Sequence, residues 1–244
     1  MATFQKSPLV DYDRLPKHIA IILDGNGRWA KQHGLLRKAG HAFGAENFRK
    51  VATYCRDIGI KYLTVYAFST ENWKRPPDEV SSILDLLRKY LKEAISQMER
   101  DRVRIHIMGD LRKFSAEEKA LFADVNRISK EIDGCQLNIC LNYGGRAEIV
   151  RAAQELASLV QLQEISPLEI TESLFESALY SAGIPDPELL IRPGGELRLS
   201  NFLLWQLAYS ELYFTDTFWP DFGIDELNLA IADYQSRERR FGGV

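Results

Sequence analysis

No apolar run in the 244-residue sequence is long enough to span a bilayer, and no Pro/Gly/Ser-rich linker, charge block or internal repeat interrupts it. The first absence excludes a membrane-spanning helix. The second leaves no seam at which to divide the chain, so a single domain over 1–244 is expected, with an N-terminal arm at 1–16 and a C-terminal helix and tail at 225–244. The opening residues 1–13 lack the apolar core of a signal peptide. Cysteine is scarce: Cys55, Cys135 and Cys140 are odd in number, lack metal-ligand spacing and sit on apolar faces, which reads as reduced core thiols in a cytoplasmic protein. Basic excess is missing too. With 31 Lys and Arg against 34 Asp and Glu, the net charge is −3 and the arginines are clustered, which argues against broad nucleic-acid binding. What remains, 45% hydrophobic and 27% charged, is an ordinary globular composition whose core needs no staples.

Strand and helix patterns alternate along the chain. Nearly continuous apolar runs at Ile19–Leu23, Tyr62–Phe68, Val103–Met108, Gln136–Asn142, Leu189–Arg192 and Leu212–Thr215 predict strands covered on both faces, hence an α/β fold with a mostly parallel sheet. Phe48, Val51, Ala52, Cys55 and Ile58 mark a helix ended by Gly59, and Ser115 with Glu118 forms a capping box. After Pro76-Pro77, the residues Val80, Ile83, Leu84, Leu87, Leu91, Ala94, Ile95 and Met98 keep helical spacing. That spacing favours core packing over the lining of a lipid cavity.

Three blocks carry the chemistry. In the first, an apolar strand runs from His18 into Asp24-Gly25-Asn26-Gly27-Arg28-Trp29, with Arg37, Lys38 and His41 following. Glycines let the backbone approach a ligand, and the cations supply charge-assisted donors to oxyanions. A carboxylate beside a phosphate is repulsive unless a hard cation lies between or the carboxylate does chemistry. Asp24 is therefore a metal or catalytic candidate, although a strand-end Asp-Gly turn accounts for it equally well at this point. Residues 25–30 also satisfy G-x-G-x-x-A, a dinucleotide fingerprint, but the acid expected about 20 residues on is replaced by a helix.

The second block, Phe68-Ser69-Thr70-Glu71-Asn72-Trp73-Lys74-Arg75-Pro-Pro-Asp-Glu79, leaves a strand end with hydrogen-bond donors and aromatic faces but no glycine in 69–79, as expected of an active-site loop that moves as a unit. In the third, Arg192-Pro-Gly-Gly-Glu-Leu-Arg198-Leu199-Ser200-Asn201, two arginines and a serine flank a Gly-Gly turn. Ser200 or Asn201 is positioned to cap a following Phe-Leu-Leu-Trp helix, making a second oxyanion site. Two anion sites imply two phosphorylated ligands. Asn142-Tyr-Gly-Gly-Arg146 has one cation only and reads as a structural turn.

His18–Trp29, Phe68–Arg75, Asn142–Arg146, Arg192–Trp205 and Glu211–Asp221, in that order and spanning nearly the whole chain, resemble the cis-prenyltransferases. The resemblance implies a homodimer whose subunits each hold a six-stranded, mostly parallel sheet flanked by helices around a hydrophobic tunnel. It also implies an Mg2+-dependent reaction, repeated condensation of isopentenyl diphosphate onto an allylic diphosphate such as farnesyl diphosphate. The product would be a long-chain polyprenyl diphosphate, with undecaprenyl diphosphate as the expected lipid-carrier precursor, and the soluble enzyme would work in peripheral contact with a bilayer.

Carried over by position, the allylic diphosphate would be held by the Gly25, Asn26, Gly27 and Arg28 backbone and by Arg28, Arg37 and His41, its chain passing Trp29. Isopentenyl diphosphate would be held by Arg192, Arg198, Leu199 and Ser200, with Ser69, Thr70, Glu71, Trp73 and Arg75 closing over the pair. Asp24 and Asn72 would be the catalytic residues; a neutral amide is a poor base, so Asn72 is read as positioning substrate, and a diphosphate oxygen or Asp24 as taking the proton. Asp24 and Glu211 would contact Mg2+. Where some members carry histidine this chain has Leu197, so no metal ligand comes from there. Arg240-Phe-Gly242 fits a tail that reaches the partner's isopentenyl site, or a solvated basic tail. Trans-prenyltransferases bind metal through Asp-Asp-x-x-Asp, which is absent here.

Overall fold

The computed structural model describes residues 6–237, so the Arg240–Gly242 tail lies outside the described residues. Six strands form one sheet: β1 His18–Ile22, β2 Tyr62–Ser69, β3 Val103–Met108, β4 Cys135–Tyr143, β5 Leu189–Arg192 and β6 Glu211–Phe214. Their order is β3-β4-β2-β1-β5-β6, and every neighbouring pair is parallel. Alternation explains why these runs are apolar throughout. Ile19, Ile21, Leu63, Val65, Ile105, Leu137, Leu189 and Ile191 enter a large core on one face. Ala20, Ile22, Tyr66, Met108, Cys140 and Leu190 enter a second core on the other. All three cysteines are buried free thiols, as their apolar settings predict.

Helices cover the sheet: α1 Asn26–Gln32, α2 Arg37–Ile58, α3 Pro77–Ile95, α4 Met98–Asp101, α5 Ala116–Ser129, α6 Gly145–Gln161, α7 Glu172–Ser177 and α8 Ile224–Ser236. The α2 helix begins at Arg37, eleven residues before the periodicity becomes visible at Phe48, because Gly40 and Gly44 replace apolar side chains in its first turns. A Cβ at Gly40 would lie 2.0 Å from the Asn26 carbonyl oxygen, and one at Gly44 would lie 2.0 Å from Asn26 Oδ1. Those bare faces bring α1 against α2. Gly59 ends α2 at φ 102°, and Ser115 and Glu118 exchange the predicted capping hydrogen bonds. At the N-terminal side, Val10 is buried and the Asp11 N–H donates to Gln235 of α8 at 3.0 Å, which ties the arm to the last helix.

β1 is where the topology reverses, since β2 pairs on one side of it and β5 on the other. In parallel sheets ligands settle beyond the carboxyl ends at such a switch point. Asp24 follows β1 and Arg192 ends β5.

Candidate active site

Asp24 and Arg192 meet at that point. Arg192 Nη2 donates to Asp24 Oδ2 at 2.9 Å, Arg28 Nη2 lies 3.2 Å from Oδ1, and the Gly25 N–H donates to Oδ1 at 2.6 Å. Burial opposes the charge of Asp24, but the Arg192 hydrogen bond and the two guanidiniums outweigh it and hold the carboxyl below its usual range. Asp24 is thus an anion throughout neutral pH. Gly25, at φ 98°, turns the chain into α1 without a side-chain cap. The first N–H groups of a helix lack intrahelical acceptors, so those of Asn26, Gly27 and Arg28 remain as donors on the cavity wall.

A second cation set lies on α2 and at the start of α3. Arg37 Nη1 donates to Glu79 Oε2 at 3.1 Å, Arg75 Nη1 donates to Oε1 at 2.8 Å, and His41 Nε2 is 3.2 Å from Oε1. Glu79 is buried. Burial works against its ionisation, and the His41 hydrogen bond with the Arg75 and Arg37 charges reverses that and depresses its carboxyl. His41 is itself pushed down by burial against the pull of Glu79, which favours the neutral ring. Glu79 was not legible as a site residue, because its partners lie 42 and 38 positions upstream and 4 positions away.

Residues 69–75 form a pinned turn rather than an open loop. Thr70–Lys74 is a 3-10 helix in which Asn72 Oδ1 accepts from the Ser69 N–H at 2.9 Å. Trp73 packs edge-on against Phe68 and Phe114 and donates from Nε1 to Asn142 Oδ1 at 2.8 Å. Asn142 in turn donates to the Asp110 carbonyl at 2.6 Å. The expected turn at 142–146 is structural in this sense, although Arg146 also reaches the cavity.

The third block departs from expectation in its local structure. No helix follows Ser200; Ser200, Asn201 and Leu203 all take left-handed φ values of 50°, 65° and 43°. Asn201 instead serves a neighbouring helix, its carbonyl accepting from the Gly145 N–H at 2.7 Å and its Oδ1 from the Arg146 N–H at 2.8 Å. The block therefore has no helix of its own, and the nearest helix N-terminus is that of α6. Arg192 is buried and donates to Ser200 Oγ at 2.8 Å and to the Arg198 carbonyl. Glu196 joins two arginines from separate blocks, lying 3.4 Å from Arg28 Nη1 and pairing with Arg198. Asn201 Nδ2 also donates to Glu71 at 3.1 Å. That bond links the second block to the third.

Below these groups opens a cavity of about 1060 Å³. Asp24, Gly25, Asn26, Gly27, Arg28, Arg37, His41, Ser69, Glu71, Asn72, Arg75, Arg192, Arg198 and Ser200 stand around it. Its deeper wall is apolar, built by Phe48 and Ala52 of α2, Ile83, Leu87 and Ala94 of α3, and Val65, Ile105, Leu137 and Ile139 of the sheet. Core packing was the expectation for α3, and Val80 and Leu84 do pack that way. Ile83, Leu87 and Ala94 stay half-buried because they border the open space. Farther along, Arg49 and Glu93 pair at 2.7 Å across α2 and α3.

Five predicted residues do not border the cavity. Trp29 is buried and stacks on His33 with centroids 4.2 Å apart. Thr70 stands against Gly144, Trp73 is in the core, and Leu199 packs on the second core. Glu211 begins β6 in register with Leu189, at the end of the sheet opposite Arg192, and pairs with Arg237 at 2.7 Å. The structure does not bring Glu211 to Asp24 within one chain.

Among the described residues no three His, Cys, Asp or Glu side chains cluster as a metal cage. Magnesium is commonly held by one or two carboxylates together with substrate phosphates and water. A carboxylate offers about four lone-pair positions, and the three donors on Asp24 leave room for such an ion. The donor set fits. The dinucleotide fingerprint does not, since β2, adjacent to β1, ends in Ser69 where a ribose-binding acid would be needed.

A parallel α/β sheet with two cation sets at the mouth of an apolar cavity defines an enzyme class that handles phosphorylated hydrocarbons. Residues 22–242 match the family model described as "Putative undecaprenyl diphosphate synthase", and the chain belongs to this family, the cis-prenyltransferases. The isoprenyl transferase of Heliobacterium mobile is 51% identical over 98% of this chain and 92% of its own. That of Clostridium perfringens (strain 13 / Type A) is 49% identical over 95% and 92%. Among solved structures, lavandulyl diphosphate synthase from Lavandula x intermedia, in complex with dimethylallyl diphosphate, superimposes with a TM-score of 0.90 at 35% identity, covering 94% of this chain and 99% of that one. A probable undecaprenyl diphosphate synthase from Campylobacter jejuni gives 0.77 at 34% identity, over 93% and 99%. The chain is a prenyltransferase.

Proposed function

We propose that this enzyme condenses isopentenyl diphosphate repeatedly onto an allylic diphosphate, farnesyl diphosphate in the first instance, to make a long-chain polyprenyl diphosphate such as undecaprenyl diphosphate. One observation carries the reading: Asp24, paired with both Arg28 and Arg192, joins the Arg28, Arg37 and His41 side of the cavity mouth to the Arg192, Arg198 and Ser200 side, above an apolar cavity. Two diphosphates fit the two sets, and a hydrocarbon tail fits the cavity.

In each cycle the bond between the allylic carbon and its diphosphate breaks, a carbon–carbon bond forms to the isopentenyl vinyl group, and one proton is lost. The N–H groups after Gly25 with Arg28, Arg37 and His41 would take the allylic diphosphate, and their charge favours its departure. Arg192, Arg198 and Ser200 would hold the second diphosphate. Holding both reactants in line contributes about 7–11 kcal/mol of rate enhancement. Magnesium, held by Asp24 and the phosphates, would supply further charge neutralisation for the leaving group. Asn72 spends its carbonyl oxygen on the Ser69 N–H, which suits a positioning role, and leaves the proton to Asp24 or a diphosphate oxygen.

The reading includes a homodimer. Glu211 lies at the far end of the strands in its own chain, so its participation at the metal requires a second copy. It also includes a cytoplasmic enzyme in peripheral contact with a bilayer; among the described residues no helix is long and apolar enough to cross one. The test is to incubate purified enzyme with farnesyl and isopentenyl diphosphates and Mg2+ and to weigh the products. A ladder of added five-carbon units is expected. Unchanged substrates, or a single branched condensation product, would overturn it.

A further inference from the structure

From Gly25 to Ala45 the sequence contains no acidic residue, while Arg28, Lys31, Arg37 and Lys38 give it four cations in a chain whose net charge is −3. The structure exposes the middle of that stretch. Residues 31–38, joining α1 to α2, are exposed without a break. Leucines stand at its tip. Leu35 is 43% exposed and Leu36 70%, and Phe43, two helical turns beyond Leu36 on the same side of α2, is 52% exposed. The Phe43 ring packs 4.8 Å from Trp29, so the projecting residues rest on a buried aromatic base.

Single exposed leucines need no explanation, but two adjacent ones at a turn, with a phenylalanine on the same face and lysines at either side, do. No core packing holds Leu36. Neither Lys31 nor Lys38 has an ion pair among the described residues. Glu79, an acid close to α2, turns its carboxylate inward to Arg37, His41 and Arg75, and the first acid beyond the stretch is Glu46, exposed on α2 past Phe43. Apolar tip with basic flanks is the chemistry that anionic phospholipid surfaces bind, the leucines entering the acyl boundary and the lysines meeting the headgroups.

We infer that the 31–38 turn, with Phe43, is the surface by which this enzyme docks on an anionic bilayer. The turn adjoins Arg37 and His41, so docking here sets the mouth of the cavity beside the membrane. Its usefulness rests on the proposed polyprenyl product; the observations that define it do not.

Co-sedimentation of the full chain with vesicles tests it. Binding is expected to phosphatidylglycerol-containing vesicles at low salt, to weaken at high salt as screening shortens the reach of the lysines, and to be absent with pure phosphatidylcholine. Leu36→Glu should reduce binding at least tenfold, and Lys31→Glu by roughly fivefold or more. Neither touches the catalytic groups, so turnover in detergent should match wild type and confirm folding. Equal binding by wild type and variants, or no binding at low salt, overturns the inference. Self-association that Leu36→Glu abolishes would assign the patch to a second copy and overturn it too. Vesicle binding without condensation would instead sink the proposed activity and leave the docking surface standing.

Discussion

Arg192 Nη2 donates to Asp24 Oδ2 at 2.9 Å, joining the last residue of β5 to the segment that follows its parallel neighbour β1 at the cavity mouth. The guanidinium is buried and the carboxylate is partly exposed. Each therefore depends on the other differently: Arg192 needs an anion, while Asp24 can also be served by water or a cation.

Asp24→Ala is expected to keep the fold and lose turnover by about 10²-fold or more. Leaving a buried charge unpaired costs about 3–5 kcal/mol, so the variant should also melt lower than wild type. Inorganic diphosphate should restore part of that loss by seating an anion on Arg192. Thermal melts with and without diphosphate, together with steady-state kinetics, check both; undiminished turnover would remove Asp24 from the mechanism.

Glu79→Gln keeps the shape of the side chain and removes the charge that faces Arg37, His41 and Arg75. Because those partners are partly solvated, the ligand-free protein should lose only about 1–2 kcal/mol. The cations are then left without a counter-ion, and inorganic diphosphate should raise the melting temperature more in the variant than in wild type. Equal gains would show that Glu79 does not compete for the anion site.

Arg198→Ala should raise the Michaelis constant for isopentenyl diphosphate about tenfold or more, the worth of a charged hydrogen bond, and change that for the allylic partner little. Arg198 is exposed and tethered to Glu196, so the fold should be unaffected. The reverse pattern in initial-rate kinetics would exchange the two diphosphate sites.

Acid should destabilise this protein through a residue remote from catalysis. Burial pushes His18 from 6.5 down to about 4 against the Pro185 carbonyl, which it meets at 2.6 Å; Thr64 Oγ1 lies 2.7 Å from its other nitrogen. Between those values the unfolded chain holds a proton that the folded chain refuses, so stability falls as pH drops from 6.5 and levels off below 4. The loss is about 3 kcal/mol. Urea unfolding across this range should show it, with the slope reduced in His18→Gln.

Much of this was legible in the sequence for a physical reason: strands buried on both faces must be apolar throughout, and both Val103–Met108 and Leu189–Arg192 begin and end where their side chains say. The meeting of Asp24 with Arg192 was legible because groups beyond the carboxyl ends of neighbouring parallel strands converge, although a strand-end turn accounted for Asp24 equally well. Glu79 and Glu196 were not. A carboxylate on a helix or in a turn looks solvated until folding brings guanidiniums from distant elements to it. Trp73 misled in the other direction, since an aromatic in a polar loop suggests a ligand contact, and only the position of Phe114 shows that it is a core anchor. The absent helix after Ser200 has a similar cause: three left-handed residues within four positions turn the chain so that Asn201 meets the neighbouring α6 terminus, which local sequence does not report.

The cavity has an energetic slope. Its charged rim is fixed while its apolar wall runs back between α2, α3 and the sheet. On the proposed reaction every turnover pushes the older end of the chain inward, and each buried methylene adds about 0.8 kcal/mol of attraction. An intermediate is consequently gripped harder after each addition than before it. The same geometry that admits a short primer therefore works as a ratchet against its early escape.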